Sequence, residues 1–143
     1  MKVLIDIGHP ATIHLFKNLA KKLIKDKHQV LFTIREKDIS LELINYYKLP
    51  YISFGKSYNG IFNKVLGIPV FCLKLIRVLR NFKPDLVLNS TTVYPPLVCK
   101  LFRVPLVSLH NTDADPFVKI LSLFNPIFLT PLNLPNILLK FYP

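Results

Sequence analysis

The chain has 143 residues, of which 51% are hydrophobic, and it carries a formal net charge of +11. This length fits one domain with a buried core and excludes a disordered polar chain. The charge indicates an anionic partner such as nucleic acid, phosphates or an anionic membrane surface, unless the cations only solvate a very apolar protein. Cys72 and Cys99 have no metal-site spacing and are typical of buried thiols in a reducing compartment.

Strand and helix signals alternate along the chain. The apolar run 3–7 ends at Gly8, and Pro10 follows at a helix-starting position, which predicts strand, tight loop and helix. Further strands are predicted at 29–34, 51–54, 86–88, 106–109 and 127–130. Helices are predicted at 10–26, 38–47 with Asp38 as N-cap, 61–82 with an interruption near Gly67 and Pro69, 95–102 and 116–123.

The predicted strands are continuous apolar runs, which is typical of a parallel sheet that is covered on both faces. We therefore predict a three-layer, doubly wound, Rossmann-like α/β domain over residues 1–131, followed by a tail at 132–143. The uncharged stretch 120–139 is long enough to cross a bilayer, but three prolines interrupt it, so no membrane span is expected there. Asp6 interrupts the first apolar run, so no signal peptide is expected, and a cytoplasmic protein is predicted.

The loop after the first predicted strand carries the first candidate site residues. Gly8 permits a tight turn, and the helix start behind it offers free N–H groups to an anion. A single glycine does not make a dinucleotide fingerprint. His9 is a candidate base or phosphate contact, or else a helix cap, and His14 is a candidate base or a packed helical residue. The two histidines have no third ligand at a telling spacing, so no metal site is predicted.

Two further polar loops follow the fourth and fifth predicted strands. The first runs from Asn89 to Thr92, and its candidate substrate-binding residues are Asn89, Ser90 and Thr91. If the first, fourth and fifth strands are neighbours, all three loops converge on one cleft.

The loop at 110–115 combines an imidazole with carboxylates. His110 and Asn111 are candidate substrate contacts, and Asp113 is a candidate general base. Asp113 or Asp115 alternatively caps the helix that follows. Arg35, after the second strand, is a candidate contact for a phosphate or carboxylate, or else part of a solvated turn.

Residues 61–83 combine an excess of apolar side chains with interspersed cations. This pattern suits a helix lying in an anionic membrane interface, or else a helix packed on the sheet with its cations in water. No aromatic-rich basic strand or recognition-helix pattern is present, so nucleic acid is not the predicted partner.

Several motifs resemble a known family, the domain of unknown function 354. They are Ile-Asp-Ile-Gly-His-Pro at 5–10, His-Leu-Phe-Lys-Asn at 14–18, Arg-Glu-Lys-Asp at 35–38, Lys-Pro-Asp-Leu at 83–86 and Thr-Pro at 130–131. The loop Asn-Thr-Asp at 111–113 is similar to the Asp-Thr-Glu region of that family, but the order and identity of its acids differ. The likeness runs over residues 1–131.

The resemblance implies the N-terminal half of a GT-B fold, which glycosyltransferases and some sugar-nucleotide epimerases share. In GT-B enzymes this half usually takes the acceptor, and the other half binds most of the nucleotide sugar. The resemblance thus implies an acceptor-side domain with His9 or His14 as base, no bound cofactor, and a UDP-sugar or other nucleotide-sugar donor on a second half.

The expected activity is glycosyl transfer at the inner face of a membrane, with the protein bound peripherally. On this interpretation the chain is inactive alone, being either truncated or paired with a donor-binding subunit. The alternatives are a non-enzymatic membrane-anchoring subunit and an inactive truncated remnant.

Overall fold

A computed structural model describes residues 1–56, 61–90, 92–109 and 127–129. The strands are β1 (Lys2–Ile7), β2 (Gln29–Glu36), β3 (Tyr51–Lys56), β4 (Leu86–Ser90), β5 (Leu106–Leu109) and β6 (Ile127–Leu129). The helices are α1 (Pro10–Lys25), α2 (Ser40–Tyr46), α3 (Ile61–Phe82) and α4 (Tyr94–Phe102).

The described strands form one sheet in the order β3-β2-β1-β4-β5-β6, and every neighbouring pair is parallel. This order is that of a doubly wound sheet, in which the chain runs outward from β1 in one direction and then from β4 in the other. The predicted Rossmann-like α/β fold is therefore confirmed. The predicted neighbourhood of the first, fourth and fifth strands is confirmed as well.

Two apolar cores lie on opposite faces of the sheet. One contains Ile5, Ile34, Phe16 and Ile44, which join β1 and β2 to α1 and α2. The other surrounds Leu4, which points to the opposite face from Ile5, and it joins the sheet to α3 and α4. Residues of β1 are buried on both faces, as expected for a central parallel strand.

The predicted N-cap of α2 is wrong. Asp38 has a φ of 49°, and Ile39 precedes the helix without a side-chain capping bond. The backbone N–H of Ser40 donates to the carbonyl of Lys37, and its hydroxyl donates to the same oxygen. This turn places Asp38 one residue too early to cap the helix.

The predicted interruption of α3 is also wrong, because the helix runs unbroken through Pro69. An interior proline costs roughly 3 kcal/mol through its missing hydrogen bond and its clash with the preceding turn. Beyond Pro69, the side chains of Phe71, Leu75 and Leu79 are buried against the sheet. Each buried apolar side chain contributes about 1.5–3 kcal/mol, so packing outweighs the cost of the proline.

Strands extend further than the sequence pattern indicated. β4 includes Asn89 and Ser90, which were expected in a loop, because register pairing with β1 and β5 continues through both residues. β3 likewise reaches Lys56. Cys99 is buried as expected, whereas Cys72 is only half-buried. The predicted helix at 116–123 and the tail at 132–143 lie outside the described residues, and the domain boundary at 131 stays a prediction.

Candidate functional site

The switch point of the sheet lies between β1 and β4, where the strand order reverses. Ligands of open α/β sheets bind in the crevice outside the carboxyl ends of the strands at such a point. Gly8 and His9 follow β1 here, and Thr92 follows β4. These residues therefore line the place where a substrate is expected.

A row of polar side chains crosses the sheet just below this crevice. Asp6 of β1 pairs in register with Thr33 of β2 and Asn89 of β4, and Asn89 pairs with Ser108 of β5. Register partners point to the same face, which here is the face that α3 and α4 cover. All four side chains are buried, so their polar atoms must find partners within the protein.

The carboxylate of Asp6 accepts hydrogen bonds from three hydroxyl groups. Thr33 Oγ1 donates to Oδ1 over 2.6 Å, and Thr92 Oγ1 donates to Oδ2 over 2.7 Å. Tyr94 Oη lies 2.8 Å from Oδ1 and 3.0 Å from Oδ2. These bonds connect the end of β1 to β2, to the loop after β4 and to the start of α4.

The network continues to β5 through Asn89. Asn89 Nδ2 donates to the Thr92 carbonyl over 3.0 Å and to Thr92 Oγ1 over 3.1 Å. Ser108 Oγ donates to Asn89 Oδ1. The amide of Asn89 is thus committed to bonds within the protein, and it fixes the backbone of the loop beside the crevice.

Burial raises the pKa of Asp6 above its ordinary value, while the hydroxyls of Thr33, Thr92 and Tyr94 and the charge of Arg35 oppose the shift. Burial also raises the pKa of Tyr94 well above its ordinary value, and the nearby Asp6 carboxylate raises it further. Tyr94 therefore remains a hydrogen-bond donor over the physiological pH range.

Arg35 lies above this network. Its guanidinium carbon is 5.7 Å from the ring centre of Phe71 and 5.8 Å from that of Tyr94. Its Nη2 approaches the carbonyl oxygen of Gly8 at 3.4 Å, and its buried Nε has no hydrogen-bond partner. The two aromatic rings hold the guanidinium beside the loop after β1, where Nη2 makes a long hydrogen bond to the Gly8 carbonyl.

Gly8 is packed too closely for any larger residue. A Cβ atom there would lie 2.6 Å from Thr92 Cγ2, 2.8 Å from Arg35 Nη2 and 3.2 Å from the Ser90 carbonyl oxygen. The absence of a side chain thus allows the loops after β1 and β4 to touch. This contact brings together the first two predicted polar loops.

His9 is the N-cap of α1, and its ring is exposed. The Ala11 backbone N–H donates to His9 Nδ1 over 3.2 Å. With Nδ1 accepting, the neutral ring carries its proton on Nε2, which is then a hydrogen-bond donor on an exposed ring. Use of Nε2 as a base requires the other tautomer, and hence loss of the cap.

His14 lies on the exposed side of α1 and contacts Tyr47, which follows α2. The two rings meet edge to face with centres 5.7 Å apart, and Tyr47 Oη is 3.2 Å from His14 Nδ1. Lys17 Nζ donates to Tyr47 Oη over 3.2 Å, so the same hydroxyl group joins His14 and Lys17. His14 is therefore held toward α2.

The amino-acid sequence matches a known protein family over most of its length. The family described as protein of unknown function DUF354 matches residues 1–127. The chain is a member of the DUF354 family. The resemblance seen in the sequence motifs is thereby confirmed.

Solved structures similar to this DUF354 chain include GT-B glycosyltransferases. MurG of Acinetobacter baumannii superposes with a TM-score of 0.73 at 16% identity, over 94% of this chain and 42% of MurG. Spinosyn rhamnosyltransferase SpnG gives a TM-score of 0.70 at 15% identity, over 94% of this chain and 46% of SpnG. The chain thus has the fold of a GT-B half-domain and spans less than half the length of either enzyme.

A curated relative shows similarity in sequence over a shorter segment. It is the UDP-N-acetylglucosamine–N-acetylmuramyl-(pentapeptide) pyrophosphoryl-undecaprenol N-acetylglucosamine transferase of Protochlamydia amoebophila. The match is 38% identical over 64 residues, which is 43% of this chain and 16% of the transferase.

The predicted site residues of this DUF354 domain fall into four groups. Gly8, His9 and Arg35 lie at the switch point. Asn89 and Ser90 are buried in β4 rather than exposed in a loop, and His14 faces α2. Outside the described residues lie Thr91, His110, Asn111 and Asp113. Roles in substrate binding or catalysis stay predictions for all of them.

Sequence reasoning missed the buried network around Asp6. One signal was present, since Asp6 is an ionisable residue inside an otherwise apolar strand. Such a residue needs several hydrogen-bonding partners in the core. The partners Thr33, Thr92 and Tyr94 become visible only with the strand order and register, which the sequence does not supply. Among the described residues, no three His, Cys, Asp or Glu side chains are placed to hold a metal ion.

Proposed function

We propose that this domain is the acceptor-side half of a GT-B sugar-nucleotide glycosyltransferase that acts at a membrane surface. The observation that carries the proposal is the arrangement of Gly8, His9 and Arg35 at the switch point between β1 and β4. Open α/β sheets bind their ligands at this position. Two likenesses support the same interpretation. One is the GT-B fold, and the other is the segment similar to a glycosyltransferase whose name gives a pyrophosphoryl-undecaprenol acceptor.

The proposed acceptor is a hydroxyl group on a lipid-linked or otherwise anionic molecule. The curated relative transfers a sugar to a pyrophosphoryl-undecaprenol compound, by its name. A net charge of +11 and a guanidinium at the switch point are favourable for an acceptor that carries phosphate. Arg35 is the residue proposed to contact that anion, through the Nη atoms next to Gly8.

The proposed reaction forms a bond between the acceptor oxygen and the anomeric carbon of the sugar. The bond from that carbon to the donor's phosphate oxygen breaks, and a nucleoside diphosphate leaves. The acceptor hydroxyl loses its proton to a base. His9 is our first candidate for contact with this hydroxyl, since its Nε2 faces away from the capping bond to Ala11.

His9 has two roles open to it in this scheme. As observed, its Nε2–H donates a hydrogen bond to the acceptor or to a phosphate oxygen. As a base it must first exchange the Ala11 bond, at a cost of about 1 kcal/mol for the lost cap. The alternative bases are His14 and Asp113.

The donor site is proposed to lie on a second Rossmann-like half, in the same polypeptide or in a partner subunit. MurG and SpnG are each more than twice as long as the part that this chain matches. Reading the coding DNA past codon 143 and through the next open frame tests for such a half. A GT-B donor half there supports the proposal, and its absence from both places contradicts it.

The activity test uses the domain together with that half. Host membranes supply the acceptor, and a panel of radiolabelled sugar nucleotides supplies the donor. The proposal predicts release of nucleoside diphosphate and transfer of label to membrane material. Failure to transfer label from any sugar nucleotide, with both halves folded and associated, would contradict it.

A non-enzymatic anchoring subunit is the second candidate. The observation that favours it is the exposed apolar and cationic surface on α3, which needs no catalytic residue. It predicts that membrane binding and partner recruitment survive substitution of both His9 and His14. No helix in the described part of the chain is long and apolar enough to cross a membrane.

A further inference from the structure

Large apolar side chains follow one exposed line along α3. Leu66, Val70 and Leu73 are 60%, 38% and 67% exposed, and they are spaced at i, i+4 and i+7. At 100° per residue this line lies opposite Leu75, which is buried against the sheet. The outward side of α3 from Leu66 to Leu73 is thus apolar rather than polar.

The neighbouring helix α4 also exposes large apolar side chains. It covers the same face of the sheet as α3, and the two helices share one apolar core. Leu97 and Leu101, at i and i+4, are 37% and 72% exposed. We call the exposed side of these two helices the α3–α4 face. Exposed apolar residues grouped in this way mark interaction sites more often than scattered ones do.

The charges of the α3–α4 face have one sign. Neither α3 nor α4 contains an acidic residue. Arg77, Arg80 and Arg103 are exposed at the carboxyl-terminal ends of these helices. Asp85 is the acid between them, and its Oδ2 accepts a 2.7 Å hydrogen bond from the Lys2 backbone N–H.

The opposite layer of the protein differs in its charges. α1 also exposes two leucines, Leu15 and Leu19, among lysines. Acidic residues lie in this layer, however, with Glu42 in the first turn of α2 and Asp26 at the C-cap of α1. α1 itself carries four lysines and no acid, so the two layers differ in their summed charge. The helices α3 and α4 with the cap residue Arg103 carry six cations and no acid, whereas α1 and α2 with the cap residue Asp26 carry four cations and two acids.

We infer that the α3–α4 face docks on the surface of an anionic lipid bilayer. Apolar side chains would enter the headgroup boundary, and the arginines would contact lipid phosphates. The positive sign of the face and the lack of acids on both helices complement such a surface. The inference specifies the membrane contact of the proposed function, but binding to lipid requires neither a donor half nor a sugar nucleotide.

The direction of α3 also gives an orientation on the bilayer. α3 runs antiparallel to the strands, so Leu66 and Val70 lie toward the carboxyl edge of the sheet. Arg77 and Arg80 lie toward the amino edge. Deeper insertion of the apolar half therefore turns the crevice beside Gly8 toward the membrane. A lipid-linked acceptor would then reach the crevice without leaving the bilayer.

Vesicle sedimentation of the 143-residue protein tests this inference. The vesicles are phosphatidylcholine with roughly 30% phosphatidylglycerol, compared with phosphatidylcholine alone. We expect binding to the anionic vesicles that weakens in high salt. The Leu73→Ser/Leu101→Ser variant should bind roughly tenfold more weakly or worse, because two large apolar contacts are lost. Arg77→Gln/Arg80→Gln should lose a similar factor.

The matched control is Leu15→Ser/Leu19→Ser on α1, which should bind within about twofold of wild type. Circular dichroism and thermal unfolding establish that every variant is folded. The inference is overturned if the wild type does not sediment with anionic vesicles, or if the α1 control loses as much binding. It is also overturned if the α3 and α4 leucines affect a protein dimer and leave lipid binding unchanged. Because these assays contain no substrate, failure here leaves the transfer assay as a separate test of the proposed function.

Discussion

Thr92 Oγ1 donates a 2.7 Å hydrogen bond to Asp6 Oδ2, and this bond joins the loop after β4 to β1 at the switch point of the sheet. The two residues are far apart in the chain but belong to adjacent ends of β1 and β4. The same hydroxyl accepts a hydrogen bond from Asn89 Nδ2, so donor and acceptor are assigned at both contacts, from Asn89 to Thr92 and from Thr92 to Asp6. The loop after β4, which borders the crevice, is therefore held in place by the buried side chains of Asp6 and Asn89.

Replacing Asp6 with Asn should destabilise the domain by about 1–3 kcal/mol. The new amide N–H group faces hydroxyls that already donate, and the charge of Arg35 loses its partner. Urea unfolding measures the change. Asp85→Asn is the matched control, because Asp85 is exposed and keeps an acceptor oxygen for the Lys2 N–H. Equal stability of the Asp6→Asn variant and wild type would contradict the network described here.

Asp6 also makes stability depend on pH in a specific direction. Burial raises its pKa in the folded state, so the folded protein holds this proton more tightly than the unfolded chain does. The stability that comes from this tighter proton binding is complete below the ordinary Asp6 pKa of 3.8, and it is lost as pH rises through the folded-state pKa. The stability difference between wild type and Asp6→Asn should fall with rising pH over this window. A difference that grows with pH would show a lowered pKa instead.

Removing the Tyr94 hydroxyl should raise the pKa of Asp6 further. Tyr94 Oη donates to the carboxylate and favours its charged form, so Tyr94→Phe takes away one of the causes that oppose the shift. Carbon-13 titration of the Asp6 carboxyl group by NMR measures the effect. Tyr46→Phe, at an exposed position, should leave the titration unchanged. An unchanged or lower Asp6 pKa in Tyr94→Phe would refute the assigned direction of this hydrogen bond.

The contact between Gly8 and Thr92 predicts a coupled pair of substitutions. Gly8→Ala should destabilise the domain by about 1–3 kcal/mol, because the new methyl overlaps Thr92 Cγ2. Thr92→Ser removes that methyl and keeps the hydroxyl that donates to Asp6. The double variant should therefore lose less stability than the sum of the two single variants, by about 1 kcal/mol. Additive losses would mean that the two loops do not meet as described.

The cap of α1 separates the structural role of His9 from its chemical role. His9→Ala should cost about 1 kcal/mol in unfolding free energy, whereas His9→Asn should cost little, since Asn is a strong N-cap. Chemical denaturation of the two variants measures this difference. If both variants match wild type in stability, the capping bond to Ala11 contributes nothing. The Asn variant is then the suitable probe of activity, because it keeps the fold and removes Nε2.

The sequence was sufficient for the overall fold and for one side of the site. Apolar strands alternating with helices predicted the parallel sheet, and Gly8 followed by Pro10 located the switch-point loop. Local patterns could not show that packing of Phe71 and Leu75 keeps α3 intact through Pro69. Nor could they show that Asn89 and Ser90 pair as strand residues, because pairing depends on β1 and β5, which are distant in sequence.

The buried network shows the same limit at the level of single residues. Asp6 was visible as an acid in an apolar strand, but its partners come from β2, from the loop after β4 and from α4. Only the register of the sheet places Thr33 and Asn89 on either side of it. Tyr94 directly precedes the helix predicted at 95–102, and no local sequence signal indicates its hydrogen bond to Asp6.

Sugar transfer by the His9→Asn variant tests most directly whether the reaction takes place at the switch point beside His9. The assay contains the donor-binding half and host membranes. His28→Asn is the matched control, since His28 lies at the opposite edge of the sheet, beside Met1. We expect His9→Asn to keep the stability of wild type but to lose roughly 100-fold or more in turnover. His28→Asn should remain within about twofold of wild type. Wild-type turnover in His9→Asn would contradict the placement of the reaction at the switch point beside His9.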